Sequence, residues 1–171
     1  SEMCIRDRHL FEDGSGRRLG NTPDGRYGFF MNRRDQNRLI NSLMYEFYTT
    51  HHQSHTTSGP HKNDNYFNNW YYRSGWTYNN LIIGAPFFKT NPKGIEEANY
   101  FFLIENNKFT AHHIGFRGSL PLLSLFPTYR LLLSYTQNDG TRFKRYSPKQ
   151  DVFSMLYEIN ILYKTCLLYT S

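Results

Sequence analysis

The sequence predicts an all-β protein. It reads as an antiparallel meander of hairpins belonging to a transmembrane β-barrel, present here as an incomplete, curved open sheet. Three observations predict it. Several stretches alternate apolar and polar residues with period two, as a strand with two unlike faces does. Turn residues separate those stretches. Aromatic residues make up 18% of the chain although mean hydropathy is low at −0.67. That combination opposes disorder and fits two classes, a soluble β-rich glycan-binding module and an outer-membrane barrel whose strands alternate apolar and polar faces between aromatic girdles. No run approaches the ~18 apolar residues of a membrane helix.

The elements are taken in chain order. The first, Ser1–Arg8, differs in character from the body of the chain. Met3-Cys4-Ile5-Arg6-Asp7 back-translates as ATG TGT ATA AGA GAC, with AG opening the next codon. The reverse complement, CTGTCTCTTATACACAT, contains TGT CTC TTA TAC ACA T, which encodes Cys166 to Thr170 and begins a serine codon. One inverted DNA sequence thus accounts for both ends, and it matches the inverted-repeat tag of transposon-based library kits. The expectation is that Ser1–Arg8 and Cys166–Ser171 are tag-encoded. His9–Thr165 is then an internal piece of a longer frame and forms one partial barrel. Both cysteines, Cys4 and Cys166, lie in the tags, so disulfide and thiolate-metal readings lapse.

Asp13-Gly14 and Asp24-Gly25 are turn signals. Arg38–Thr50 (RLINSLMYEFYTT) alternates Leu39, Leu43, Tyr45 and Phe47 against Ile40, Ser42, Met44, Glu46 and Tyr48. Thr49–Tyr66 is polar with Gly59-Pro60 at its centre and reads as a surface loop; Ile83–Glu97, with Gly84, Pro86, Pro92 and Gly94, reads as another. Ala98–Leu120 reads as two strands turning at Asn106-Asn107. In Thr128–Thr136, Tyr129, Leu131, Leu133 and Tyr135 oppose Arg130, Leu132, Ser134 and Thr136, and Asn138-Asp139-Gly140 closes the strand. Ser147-Pro148-Lys149 opens the next, Asp151–Lys164. There Phe153, Met155, Tyr157, Ile159, Ile161 and Tyr163 oppose Val152, Ser154, Leu156, Glu158, Asn160 and Leu162. The second set in each strand mixes apolar residues with single charges, which suits an enclosed lumen better than bulk water.

Charge and motifs limit the function classes. The net charge of +6 survives removal of the tags, which carry Glu2, Asp7, Arg6 and Arg8, but no dense basic run marks a nucleic-acid arm. His51, His52, His55 and His61 share one loop without the i, i+4 spacing or neighbouring acid of a metal site. His112 and His113 fall on opposite faces of a strand and do not chelate together. Glu46 and Glu158 are inward carboxylates, expected to pair with groups such as Arg130, and Glu96-Glu97 lie in a loop. No pairing of acids for glycoside hydrolysis, nucleophile motif or phosphate loop is evident. The expectation is a binding protein, not an enzyme, with no catalytic or metal residues and no cofactor.

The segment Asp64–Phe88 (DNYFNNWYYRSGWTYNNLIIGAPFF) is the most distinctive. Its Asp-Asn-Tyr-x-Asn-Asn block, Ser-Gly-Trp-Thr-Tyr and Gly-x-Pro-Phe resemble the capsule assembly Wzi family, especially its Bacteroidetes-type members. The resemblance extends, in order, to His9–Gly16, Leu43–Ser54 and Thr110–Leu120. It departs at Asn79-Asn80-Leu81-Ile82, where a Gly-Arg-Thr type stretch is common and a basic contact would sit. The resemblance implies a Gram-negative outer-membrane barrel, of which this is the C-terminal half. It implies a lectin-like role in holding capsular polysaccharide at the cell surface. The expected partners are capsular or exopolysaccharide and outer-membrane lipid, not nucleic acid, with a monomer favoured.

Within that segment Asn68, Asn69, Trp70, Tyr71, Tyr72, Arg73, Trp76 and Tyr78 are candidate polysaccharide-binding residues. Indole and phenol rings stack on the apolar faces of sugars, while Asn and Arg reach hydroxyl and acidic groups. The same aromatics would also suit an interfacial girdle or a filled lumen. Two rival functions stay open. One is a porin or a barrel that modifies polysaccharide or lipid. The other is a soluble glycan-binding β-sandwich.

Overall fold

The computed structural model describes residues 2–10, 17–35, 38–54, 64–84, 86–92, 102–120 and 127–161. Its strands are β1 (Glu2–His9), β2 (Gly25–Asn32), β3 (Ser42–Thr49), β4 (Thr77–Tyr78), β5 (Leu81–Ile82), β6 (Lys89–Thr90), β7 (Ile104–Asn106), β8 (Lys108–Ser119), β9 (Thr128–Gly140) and β10 (Arg145–Asn160). Six of them form one antiparallel sheet in the order β1-β2-β3-β8-β9-β10. β4-β5 and β6-β7 are separate two-stranded ribbons. The protein is therefore all-β and antiparallel, and among the described residues the sheet is open, with β1 and β10 at its edges.

Register explains why the alternation in sequence is so clean. Phe29, Tyr45, Ile114, Leu133 and Met155 lie opposite one another in one row across β2, β3, β8, β9 and β10. Met31, Leu43, Phe116, Leu131 and Tyr157 form the next row, and Tyr27, Phe47, His112, Tyr135 and Phe153 form the row on the other side. Because side chains alternate, all three rows share one face. None of these side chains is buried, and at the β10 end Phe153 and Met155 are 67% and 65% exposed. The third row is aromatic throughout: Tyr27 stacks on Phe47, and His112 contacts both Phe47 and Tyr45.

The opposite face carries the mixed residues. Arg26, Glu46, Tyr48, His113, Ser134 and Leu132 belong to it, and loops fold over its upper end. There Tyr66, Phe88 and Ile104 from the connections pack against Phe109 and Ala111 of β8, with Tyr48 alongside. The core thus lies at one end of the mixed face, leaving below it a hollow of about 670 Å³.

Several boundaries differ from the sequence reading. β3 starts at Ser42, because Leu39 and Asn41 are taken up by the return from β2: the carbonyl of Leu39 accepts the Tyr129 hydroxyl, and Asn41 N donates to Arg117 O. Gly118 makes that approach possible, since a Cβ there would stand 1.7 Å from the Leu39 carbonyl oxygen. The hairpin expected at Asn106-Asn107 does not form. β7 pairs instead with β6, and β8 lies between β3 and β9. Both asparagines are fully buried, and their side chains bind neighbouring loops and so do not expose a turn. The stretch Ile83–Glu97, read as loop, contains β6. The turns at Asp13-Gly14 and Gly59-Pro60, and the last residues of the final strand, lie outside the described residues. Of the two segments read as tag-encoded, Glu2–Arg8 lie with His9 in β1, wholly exposed, with Asp7 opposite Tyr27 of the aromatic row, while Ser1 and Cys166–Ser171 lie outside the described residues.

Candidate functional site

The candidate segment is anchored before it is exposed. Tyr66 is fully buried, and its hydroxyl donates to Asp24 Oδ2 at 2.9 Å and accepts from Asn21 Nδ2 at 2.9 Å. Burial first, then the Asp24 charge, pushes this phenol well above its ordinary pKa, so it stays a donor. Asn107 Nδ2 donates to the Tyr66 carbonyl at 2.9 Å and to Asn65 Oδ1 at 2.6 Å. From there the chain turns back on itself: Gly75 N donates to Tyr72 O at 2.8 Å and Trp76 N to Phe67 O at 3.0 Å. Gly75 holds φ +62°, and a Cβ there would lie 2.1 Å from Phe67 O, so the return needs glycine.

The eight candidates divide by role. Asn68 Nδ2 donates to Asn65 Oδ1 at 3.1 Å, and Asn69 Oδ1 accepts from the amides of Tyr71 and Tyr72 at 2.8 and 3.2 Å. These two side chains shape the loop. Tyr71, Tyr72, Trp76 and Tyr78 project outward at 93%, 74%, 65% and 72% exposure. They fill neither the core nor the aromatic row. Trp70 is also exposed but meets Phe102 edge-on at 5.1 Å and Phe143 at 6.1 Å. Arg73 is exposed, and its carbonyl accepts Leu103 N at 3.0 Å. Tyr78 ends β4 just before Asn79-Asn80, both at positive φ (47° and 62°), as a tight β-ribbon turn requires.

Beneath the platform lies a buried polar network that sequence reasoning missed. Asp24, fully buried, accepts from His52 N at 2.8 Å, from Gln53 N at 2.7 Å and from the Tyr66 hydroxyl. Asn106 Nδ2 reaches Asn138 Oδ1 at 2.8 Å, and its Oδ1 accepts Gly140 N at 2.9 Å. The Asp-Gly and Asn-Asn pairs that signal turns here supply side-chain acceptors and donors to three connections at once. The only sequence signal was their clustering beside strand ends.

His51 belongs to this rim. It stands 3.7 Å from Asp139, yet burial lowers its pKa more than Asp139 raises it. A depressed folded pKa means the unfolded chain binds more protons as pH falls. The stability linked to this ring is therefore complete above the ordinary histidine value of about 6.5 and is lost as pH drops through the folded pKa. The expected result is a urea midpoint that falls between pH 7.5 and 5, with part of the slope removed by His51→Gln.

On the mixed face Glu46 pairs with Arg26, and Glu158 with Arg130 at 2.5 Å, the second with the partner the sequence suggested. The two acids are three strands and four residue rows apart, about 14 Å across and ~13 Å along a flat sheet. That is too far for a glycosidase pair, which needs roughly 5–9.5 Å. His113 stacks on Phe87 at 5.0 Å, with Nε2 buried and lacking a protein partner among the described residues. Among those residues no cluster of three His, Cys, Asp or Glu is placed to hold a metal; His55 and His61 lie outside them. Comparison with protein-family models, with curated proteins and with solved structures returns no match.

Proposed function

We propose that the chain is part of an outer-membrane β-barrel that binds polysaccharide at the cell surface, in the manner its resemblance to the capsule assembly Wzi family implies. One observation carries the membrane part. Five neighbouring antiparallel strands turn a continuous apolar face outward, and no element of the described chain covers it. Along β10 and just past it, that face runs from Phe153 to Ile161, within the ~9–11 residues of a tilted membrane strand. Exposed apolar patches of this extent mark a lipid or protein contact, and an aromatic row at one margin fits a bilayer interface.

The sugar-binding part rests on the exposed aromatic platform, held beyond that row by loops tied to the mixed face. Stacking and hydrogen bonds would supply the affinity, without a cofactor. The test is outer-membrane fractionation of the full-length protein with gel mobility before and after boiling. Sedimentation with the outer membrane and a heat-dependent shift are expected. A protein soluble without detergent and showing no shift would instead favour a β-sandwich, in which a second sheet covers the apolar face.

A further inference from the structure

A second recess sits beside the platform and differs from it in charge. It measures about 640 Å³, within the usual range of ligand sites. It lies between β6 and the base of β10, and its lining includes Lys89, Lys144 and Arg145 against one acid, Glu105. Lys89 is held through its side chain, and Lys144 and Arg145 through the backbone that carries them. Lys89 Nζ donates to Gln150 Oε1 at 2.6 Å, joining the two walls. Lys144 and Arg145 leave a tight turn in which Lys144 N donates to Thr141 Oγ1 at 3.1 Å and Thr141 N to Lys144 O at 2.8 Å. Gly140, at φ +86°, begins that turn.

The same turn joins the recess to the platform. Phe143 stacks on Phe102 at 5.9 Å and meets Trp70 at 6.1 Å, while the Arg142 guanidinium lies 5.3 Å from the Phe143 ring centre. Exposed rings and the turn that carries Lys144 and Arg145 therefore adjoin. Gln150 is in register with Asn138, on the mixed side of the sheet, so its part of the recess wall lies on the face opposite the apolar rows.

We propose that this recess selects acidic polysaccharide: Lys89, Lys144 and Arg145 engage carboxylate or phosphate groups of a chain whose sugar rings stack on Trp70 and Phe143. The inference rests on the sugar-binding reading above and adds the charge class of its ligand. Guanidinium and ammonium groups suit such anions, and the contacts are exposed enough to be screened by salt.

The test uses the full chain in detergent micelles, with polygalacturonate, neutral dextran and anionic phospholipid vesicles as probes. Polygalacturonate is expected to bind at least tenfold tighter than dextran and to weaken at high salt. The triple change K89Q, K144Q and R145Q should reduce its affinity roughly tenfold while leaving dextran unaffected. Where that variant loses its heat-dependent mobility shift, Lys144→Gln alone and the salt titration give the same readout. Equal binding of dextran, untouched by the charge changes, overturns the acidic class and leaves sugar binding standing. Preference for the vesicles overturns the inference in favour of lipid. Failure of a correctly folded chain to bind either glycan removes both this inference and the sugar-binding reading.

Discussion

Leu133→Trp will leave the stability of the protein in detergent or lipid unchanged, and Leu133→Arg will destabilise it by about 1–2 kcal/mol, between the interfacial and midplane costs of a charge on a lipid face. Leu133 sits mid-row on the outward face, between Ile114 of β8 and Met155 of β10. If lipid faces it, extra volume meets only fluid chains, whereas a guanidinium one row in from the aromatic margin loses part of its hydration. A sandwich behaves differently. A second sheet packed on Leu133 would resist the larger indole, and overpacking of that kind costs roughly 1–3 kcal/mol. The informative result is therefore the tryptophan variant, measured by urea titration of the heat-modifiable form. Loss of that form on Leu133→Trp would rule out a lipid-facing position and with it the membrane reading.

Asp24→Ala will release the loop cap, at an expected destabilisation of roughly 3 kcal/mol or more. The carboxylate accepts two backbone amides and one phenol, all buried. Without it His52 N and Gln53 N keep no acceptor there, and the Tyr66 hydroxyl loses the group it donates to. Gln53 and Ser54 also hold positive φ (46° and 55°), a conformation that L-residues adopt at an energetic disadvantage. Asp24 helps to offset that strain. Hydrogen exchange at His52 and Gln53 should rise to near-random-coil rates, and proteolysis should shift to the 51–54 connection, while β9 and β10 stay protected. Unchanged protection at these amides would show that other contacts hold the cap.

The two faces of the sheet were legible in the residues because the strand period is two, and each register pair links sets that the alternation had already separated. Leu131 and Leu133 fell with Tyr157 and Met155, and Arg130 met Glu158 across β9 and β10. What was not legible involves residues with two competing uses. Asn106 and Asn107 resemble a turn because asparagine bonds locally, yet burial turns their side chains toward Asn138, Asn65 and the Tyr66 carbonyl. Asn79 and Asn80 do form the tight turn, which the sequence reading noted only as a departure from a family pattern. In the candidate segment, composition alone did not separate Asn69, which shapes the backbone, from Tyr71, which projects from it. That division needs the fold of the loop. No pattern in the chain announced Asp24 as the junction of three connections, because its partners are backbone amides and a tyrosine far away in sequence.

Thr49 and Thr110 face each other across β3 and β8, so the chain leaves the sheet and re-enters it at one point. What is described between them, the platform and the Lys89 wall of the basic recess included, is one insertion between neighbouring strands, and it carries Tyr66, Phe88, Ile104 and Phe109 of the core with it. Substitutions within that segment therefore leave the register of β2, β3, β8 and β9 as it is. A foreign segment grafted at that seam keeps the strand pairing but must replace the cover that Tyr66, Phe88 and Phe109 give to Tyr48 and Ala111.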